Sequence, residues 1–328
     1  MSNIINFGGG SNNNDSDHNA NNKENMKDIE IQDIKDKDSW EFKAQTLCEA
    51  MPYMKKFSGE TFVIKFGGSA MGNNFNIKNF AKTIVLLKQV GINPIIVHGG
   101  GPQICEMLDK LDIKSSFVDG LRITDQDTVK VVEMVLAGSI NKMIVNEINQ
   151  AGGKAIGISG KDANIIKAKK VTRIQKDPES NIEKILNLGY VGEPYMIDPE
   201  IFGIFEDSDL IPVIAPIGIG EKGETFNINA DTVAGAIAAS IQASKLIILS
   251  DVDGVLLPNK ELVSHINRAT AEKMISDGVI NGGMIPKIET CIAALDAGVS
   301  FAHILNGNID NILLMEIFTE SGAGTMII

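Results

Sequence analysis

Val63-Ile64-Lys65-Phe66-Gly67-Gly68 closes one apolar run of this chain, and Ile95-Ile96-Val97-His98-Gly99-Gly100-Gly101 closes the next. Thr61-Phe62-Val63-Ile64 and Asn93-Pro94-Ile95-Ile96-Val97 are rich in β-branched and apolar residues, the composition of strands buried on both faces of a parallel sheet. Each run passes through glycines into a helical stretch. At such a turn the first N–H groups of the helix point outward and the helix dipole favours negative charge, so a phosphate or carboxylate can bind. Lys65 adds a full positive charge beside the first turn. One double-glycine turn is a weak signal, because glycine is common wherever a strand end needs φ > 0. Two further segments strengthen it: Asn227-Ile228-Asn229-Ala230-Asp231 and Gly282-Gly283-Met284-Ile285-Pro286-Lys287.

Outward from these runs, strand-like and helix-like stretches alternate: strand 61–66, helix about 77–90, strand 93–97, helix about 102–111. The alternation predicts βαβ units and a mostly parallel sheet. Segment 165–195, with its charges, Pro178 and Pro194, breaks the pattern and predicts an antiparallel hairpin or lid. Strands 210–215, 246–250, 301–305 and 324–328 follow, with helices from Asp231 to about Ala243, over 270–277, and after Pro286. Ahead of the first strand, Trp40, Ala44, Leu47, Met51 and Met54 follow 4-3-4-3 spacing on one helix face. Asp38 and Glu41 form a possible capping box there, and Pro52 is expected to kink or interrupt the helix. Residues 1–37, rich in Asn, Asp, Lys and Gly, read as a disordered tail without a signal or transit peptide.

Val63–Gly68, Val97-His98-Gly99-Gly100-Gly101-Pro102-Gln103, Asp119-Gly120-Leu121-Arg122-Ile123-Thr124, Asn227–Asp231 and Gly282–Lys287 together resemble the amino acid kinase family, and the likeness runs from about residue 38 to the C-terminus. The resemblance implies an α/β fold, a three-layer αβα sandwich with a central, mostly parallel sheet. It also implies two lobes: an N-lobe over 58–220 for acceptor binding and dimerisation, and a C-lobe over 221–328 for ATP and arginine.

Within the family the chain is similar to the branch that uses ATP to phosphorylate the γ-carboxylate of N-acetyl-L-glutamate, a step of arginine biosynthesis. Such a transfer requires neutralisation of charge and in-line positioning, with no enzyme nucleophile, since the attacking oxygen is already ionised. Neither a P-loop nor the protein-kinase motif set is present. The resemblance assigns Lys65 and Lys287 to transition-state stabilisation and Asp231 to orienting them. Local sequence alone also allows Asp231 to be a helix N-cap. Gly100, Gly101, Arg122 and Asn227 are implied for the acceptor, with Arg122 as a bidentate carboxylate clamp. Gly67, Gly68, Ser250 and Asp251 are implied for the nucleotide, which brings magnesium with it; His98 is expected to position rather than to act as base. Asp251-Val252-Asp253-Gly254 lacks the remaining ligands of a calcium loop, and no protein metal site is expected.

The likeness is to the arginine-sensitive type. It implies that helix 38–57 joins subunits into a hexamer, a trimer of dimers, and that Tyr53, His303, Glu316 and Gly324 surround inhibitory arginine. Asn306, where an acidic residue is expected, and Glu320-Ser321 depart from the pattern. A nitrogen-signalling regulatory protein is a further possible partner. Two alternatives stand beside this reading: another acyl-phosphate-forming kinase, acting on aspartate or glutamate, and a non-catalytic arginine-sensing module.

Composition sets outer limits. With 328 residues, 44% hydrophobic and 22% charged, the chain has the makeup of a soluble globular protein of one large domain or two lobes. A net charge of −12 argues against a nucleic-acid partner, and no apolar run approaches the roughly 18 residues of a membrane span. Cys48, Cys105 and Cys291 are widely spaced, which fits a reducing compartment. The expected location is the cytoplasm, with the plastid stroma as alternative.

Overall fold

The structure, a computed structural model, describes residues 37–68, 71, 74–118, 120–176, 183–320 and 322–328. The stretch 1–36, Asp119, Pro178 and Ser321, on which expectations above also fell, lie outside the described residues. Contacts divide the chain into two units, with the boundary after Pro52. Helix α1 (Lys37–Phe57) is the described part of the first unit, and its last turn belongs to the second. Asp38 lies inside this helix, not at its cap, and Pro52 does not interrupt it. One proline removes a single i→i−4 hydrogen bond, a loss that a 21-residue helix survives.

The second unit continues with β1 (Thr61–Phe66), α2 (Asn74–Gln89), β2 (Asn93–His98), α3 (Gly101–Lys110), the short strands β3 (Phe117–Val118) and β4 (Leu121–Arg122), and α4 (Gln126–Glu133). A π-helical turn (Met134–Ile140) runs straight into α5 (Asn141–Gln150). Then come β5 (Lys154–Ser159), β6 (Ile166–Lys176), β7 (Glu183–Ile197), α6 (Glu200–Glu206), β8 (Leu210–Ala215), β9 (Ile217–Ile219) and β10 (Thr225–Ile228). The chain ends with α7 (Ala230–Ser240), β11 (Lys245–Ser250), β12 (His265–Ile266), α8 (Arg268–Ser276), α9 (Met284–Asp296), β13 (Phe301–Asn306), α10 (Ile312–Phe318) and β14 (Thr325–Ile327).

Among the described residues the main sheet has eight strands in the order β12-β14-β13-β11-β1-β2-β8-β5. The run from β13 to β5 is parallel throughout, and β14 alone pairs antiparallel, with β13. The antiparallel excursion expected over 165–195 is the β6/β7 hairpin, paired from Ile166↔Ile197 to Lys176↔Glu183.

Side-chain alternation along each strand divides the core into two layers. Phe62, Ile64 and Phe66 of β1 join one cluster with α2, α3, α5 and α10 residues such as Ile84, Ile104, Ile144 and Leu313. Val63 joins the opposite cluster with Val233 and Ile237 of α7 and Ile288 and Cys291 of α9. The result is a three-layer αβα sandwich. The same alternation places Lys65 on the face of Val63, where α7 and α9 pack.

Two helix starts differ from expectation. α7 is capped by Asn229, whose side-chain oxygen accepts from the amides of Asp231 at 2.8 Å and Thr232 at 3.2 Å. Asp231 is therefore not the N-cap, and its carboxylate is free for other partners. α9 begins at Met284, ahead of Pro286, because a proline in the first turn gives up an N–H that has no intrahelical acceptor.

Candidate active site

Three segments bring charge to the carboxyl ends of the central strands. Lys65, one residue before the end of β1, places its ammonium 2.8 Å from Oδ1 of Asp231. Lys287, in the first turn of α9, donates to Oδ2 of the same carboxylate at 2.6 Å. These side chains are 10%, 17% and 8% exposed for Lys65, Lys287 and Asp231. Burial pushes the Asp231 carboxyl up, yet the charges of Lys65 and Lys287 outweigh it and hold the group below the usual carboxylate range. Two ammoniums against one carboxylate leave the cluster with an excess positive charge facing the cleft.

The glycine turns meet beside this cluster. The Gly99 amide donates to the Phe66 carbonyl at 2.8 Å, which ties the end of β2 to the end of β1. A Cβ on Gly68 would lie 3.0 Å from Pro102 Cδ and 3.1 Å from the Gly100 nitrogen, so the two turns touch backbone to backbone. Gln103 donates to the Gly68 carbonyl at 3.3 Å. Helix α3 starts at Gly101 with no side-chain cap, which leaves its first N–H groups available to an anion.

Lys65, Gly68, Gly99, Gly100, Gly101, Arg122, Asn227 and Asp231 line a cavity of about 220 Å³. A larger cavity of about 980 Å³ adjoins it, sharing Gly120, Leu121, Asn229 and Asp231 and adding Ser250, Asp251, Gly282, Gly283 and Lys287. The catalytic and acceptor candidates of the sequence therefore converge, with Asp231 on the wall common to both cavities. Gly68 lines the smaller one, while Ser250 and Asp251 line the larger. Gly67, buried at the strand end, is not among the lining residues of either.

Arg122 is buried and held from several sides. Its guanidinium donates to the Gly101 carbonyl at 3.1 Å, to Cys105 Sγ at 3.0 Å and to Ser115 Oγ, and stacks over Phe117 with 4.6 Å to the ring centroid. Asn227 donates to Thr124 Oγ1 at 3.4 Å. No motif in the sequence marks Cys105, Ser115 or Phe117, since each acts only through its neighbour in space; Thr124 lies in the Asp119–Thr124 segment, where no role was assigned to it. The departure at Asn306 also has a partner: its amide donates to Asp253 Oδ1 at 2.7 Å, anchoring the turn after β11.

A second ionic cluster lies elsewhere in the fold. His303 on β13 places Nδ1 2.9 Å from Glu316 Oε1, and Lys245 on β11 lies 3.1 Å from His303 Nε2. Burial lowers the His303 pKa, and the adjacent Lys245 charge lowers it further against the opposing pull of Glu316. A neutral ring fits both contacts, with Nδ1–H facing the carboxylate and Nε2 accepting from the ammonium. Glu316 also accepts the Ala323 amide at 2.8 Å. Gly324 has φ +135°, and a Cβ there would meet the Ile304 carbonyl at 2.5 Å. Lys245 was missed in the sequence because it reads as the polar start of a strand; its ammonium lies 5.2 Å from the Phe57 ring at the end of α1. Tyr53, one turn earlier, packs on the core.

Comparison with known proteins identifies the family. Residues 60–306 match the family model described as the amino acid kinase family. Acetylglutamate kinase of Rhodospirillum rubrum is 60% identical over 290 residues, covering 88% of this chain and 94% of the relative. Acetylglutamate kinase of Rhodospirillum centenum is 55% identical over 291 residues, covering 89% and 95%. Among solved structures, N-acetylglutamate synthase of Neisseria gonorrhoeae with coenzyme A and N-acetyl-glutamate superposes with a TM-score of 0.75 at 25% identity, covering 87% of this chain and 63% of that one.

His98 is fully buried at the end of β2, and burial lowers its pKa to about 4. In the unfolded chain a histidine titrates near 6.5, so between these values the unfolded state binds more protons and stability rises with pH. The contribution is complete above about pH 6.5 and is lost as pH falls toward 4. Thermal melts at pH 7 and pH 5 are expected to show a smaller acid-side loss for His98→Asn than for the unaltered chain. His303 retains its own share of the slope in both.

Proposed function

The chain belongs to the amino acid kinase family, and from that premise we propose that it transfers the γ-phosphoryl group of ATP to the γ-carboxylate of N-acetyl-L-glutamate, as its acetylglutamate kinase relatives are named for doing. The observation that carries this reading is the Lys65–Asp231–Lys287 cluster on the wall common to two cavities of unequal size. The smaller cavity takes the acceptor and the larger the nucleotide, with magnesium arriving on the phosphates.

Arg122 holds the acceptor's α-carboxylate, for which the planar guanidinium is suited, and Asn227 contacts the substrate beside it. The γ-carboxylate then faces the Gly100 and Gly101 amides, which also receive charge developing on the transferred group. Lys65 neutralises that charge from the β1 side and Lys287 from the α9 side, so each cation approaches the phosphoryl group from a different layer. Asp231 keeps the two from repelling one another out of line. No base is required, because the attacking oxygen carries no proton. In lobe terms, 58–220 supplies Gly100, Gly101 and Arg122 to the acceptor, 221–328 adds Asn227 to it and takes the nucleotide, and the reaction belongs in the cytoplasm.

An ATP-dependent hydroxamate assay tests the acceptor. Product is expected from N-acetylglutamate, with glutamate and aspartate giving far less; equal product from unacetylated acceptors would shift the reading to a sibling kinase.

Regulation by arginine is the finer part of the proposal. Glu316, held by His303 and close to Lys245 and the end of α1, is a carboxylate able to pair with a guanidinium, and Gly324 keeps the adjoining backbone close. Trp40, Leu47 and Met51 are 57%, 61% and 60% exposed along one stripe of α1, a surface that three dimers could share in a hexamer. A Trp40→Glu/Leu47→Glu double variant is expected to scatter light as a smaller particle and to need several-fold more arginine for half-inhibition. An unchanged particle mass and inhibition curve would remove both claims. A nitrogen-signalling protein remains a candidate partner of the arginine-sensitive assembly.

A further inference from the structure

Asn141, the first residue of α5, is completely buried, and the kinase reaction as described gives it nothing to do. Its side-chain nitrogen gives one hydrogen to the Val213 carbonyl at 2.9 Å and shares the other between His98 Nε2 at 3.3 Å and the Ile158 carbonyl at 3.4 Å. Its oxygen accepts from Lys142 Nζ at 3.1 Å. The amide orientation follows from these partners: two carbonyl oxygens require N–H donors, and an ammonium requires an acceptor.

The other nitrogen of His98, Nδ1, lies 2.9 Å from the Gly99 carbonyl. A carbonyl oxygen only accepts, so Nδ1 must carry the hydrogen, and Nε2 is left as the acceptor that Asn141 fills. Each end of the ring is thus matched to one partner, and only one neutral tautomer satisfies both. Because a trans peptide sets C=O and N–H on opposite sides, holding the Gly99 carbonyl against His98 turns the Gly100 N–H the other way.

Two glycines make this arrangement possible. A Cβ on Gly157 of β5 would stand 1.8 Å from Asn141 Oδ1, so the carboxamide reaches its carbonyl partners only because residue 157 has no side chain. A Cβ on Gly100 would stand 2.4 Å from Ile140 Cδ1 and 2.7 Å from Leu136 Cδ2, both in the π-helical turn that precedes Asn141. π-Helical turns are rare and concentrate at functional sites. Here the turn places apolar groups against Gly100 and delivers Asn141 to His98 one residue later.

We propose that Asn141 is a positioning residue for phosphoryl transfer: it holds His98 as the Nδ1–H tautomer, which fixes the Gly99 carbonyl and so aims the Gly100 amide into the acceptor cavity. The proposal rests on reading Gly100 and Gly101 as the amides that receive the transferring group. The charged group acting on His98 is the Lys142 ammonium, which Asn141 also engages.

Nitrogen NMR of the full-length chain, with His98 assigned by its loss in His98→Asn, tests the tautomer directly. Protonation at Nδ1 is expected, and an Nε2–H ring in the unaltered protein would overturn the proposal. In Asn141→Asp a carboxylate oxygen replaces the donor, so the neutral His98 ring is expected to move its hydrogen from Nδ1 to Nε2 and to release the Gly99 carbonyl. Steady-state kcat should then fall roughly tenfold to a hundredfold, with KM for N-acetylglutamate changed much less, as for a group misplaced in the transition state alone. A kcat within twofold of the unaltered enzyme would overturn the positioning role. Gly157→Ala, which crowds the same carboxamide, should reproduce the kcat loss if Asn141→Asp does not fold. Failure of the unaltered chain to phosphorylate N-acetylglutamate would count against the kinase reading itself, a result separable from any effect confined to the variants.

Discussion

Asp231 is pulled from two directions: Lys65 contacts one carboxylate oxygen at 2.8 Å and Lys287 the other at 2.6 Å, and all three side chains are largely withdrawn from water. Removing three charges from water is costly, and only close pairing offsets the loss. The pairing constrains the fold, because Lys65 belongs to the central strand β1, Asp231 to the start of α7, and Lys287 to the first turn of α9. A slip of β1 by one residue would turn Lys65 to the opposite layer and leave the carboxylate with one partner. The cluster therefore reports the register of the sheet and the seating of both helices at once.

The glycine turns serve the same cluster by a different route. Backbone amides are neutral donors whose strength as an anion site depends on aim, and aim here comes from packing. Phe66 carbonyl ties β2 to β1, Gly68 touches Gly100, and Leu136 and Ile140 press against Gly100 from the α layer. Amides that already point at the anion require no reorganisation when charge moves during transfer. Full charges from the lysines and fixed dipoles from the turns thus act on the same small volume.

Much of this was legible in the sequence, for identifiable reasons. Apolar runs at 61–66 and 93–98 are buried on both faces and carry the composition of parallel strands, so the alternating α/β pattern and the 165–195 hairpin could be read before any coordinates. Lys65 and Lys287 stood out because each shares a short segment with a glycine pair and both segments resemble those of the family. That both reach one carboxylate is a fact of packing across residues 65, 231 and 287, which no local pattern encodes. The sequence allowed Asp231 as the cap of α7; Asn229, an equally good cap two residues earlier, takes that place because its backbone is extended there. Asn141, Cys105, Ser115 and Lys245 gave no such signal: each is an ordinary residue in its own segment and acquires meaning from a neighbour in space.

The single-turnover rate of phosphoryl transfer from ATP to N-acetylglutamate in Asp231→Asn, measured at saturating concentrations of both substrates with the fold checked by circular dichroism, bears most directly on the charge cluster. If Asp231 holds the two lysines in line, the rate should drop by about a hundredfold or more, the scale of losing a preorganised electrostatic contact, with substrate binding little altered. A rate within a few-fold of the unaltered chain would mean that Lys65 and Lys287 need no carboxylate between them, and that the cluster is a feature of the fold and not of the reaction.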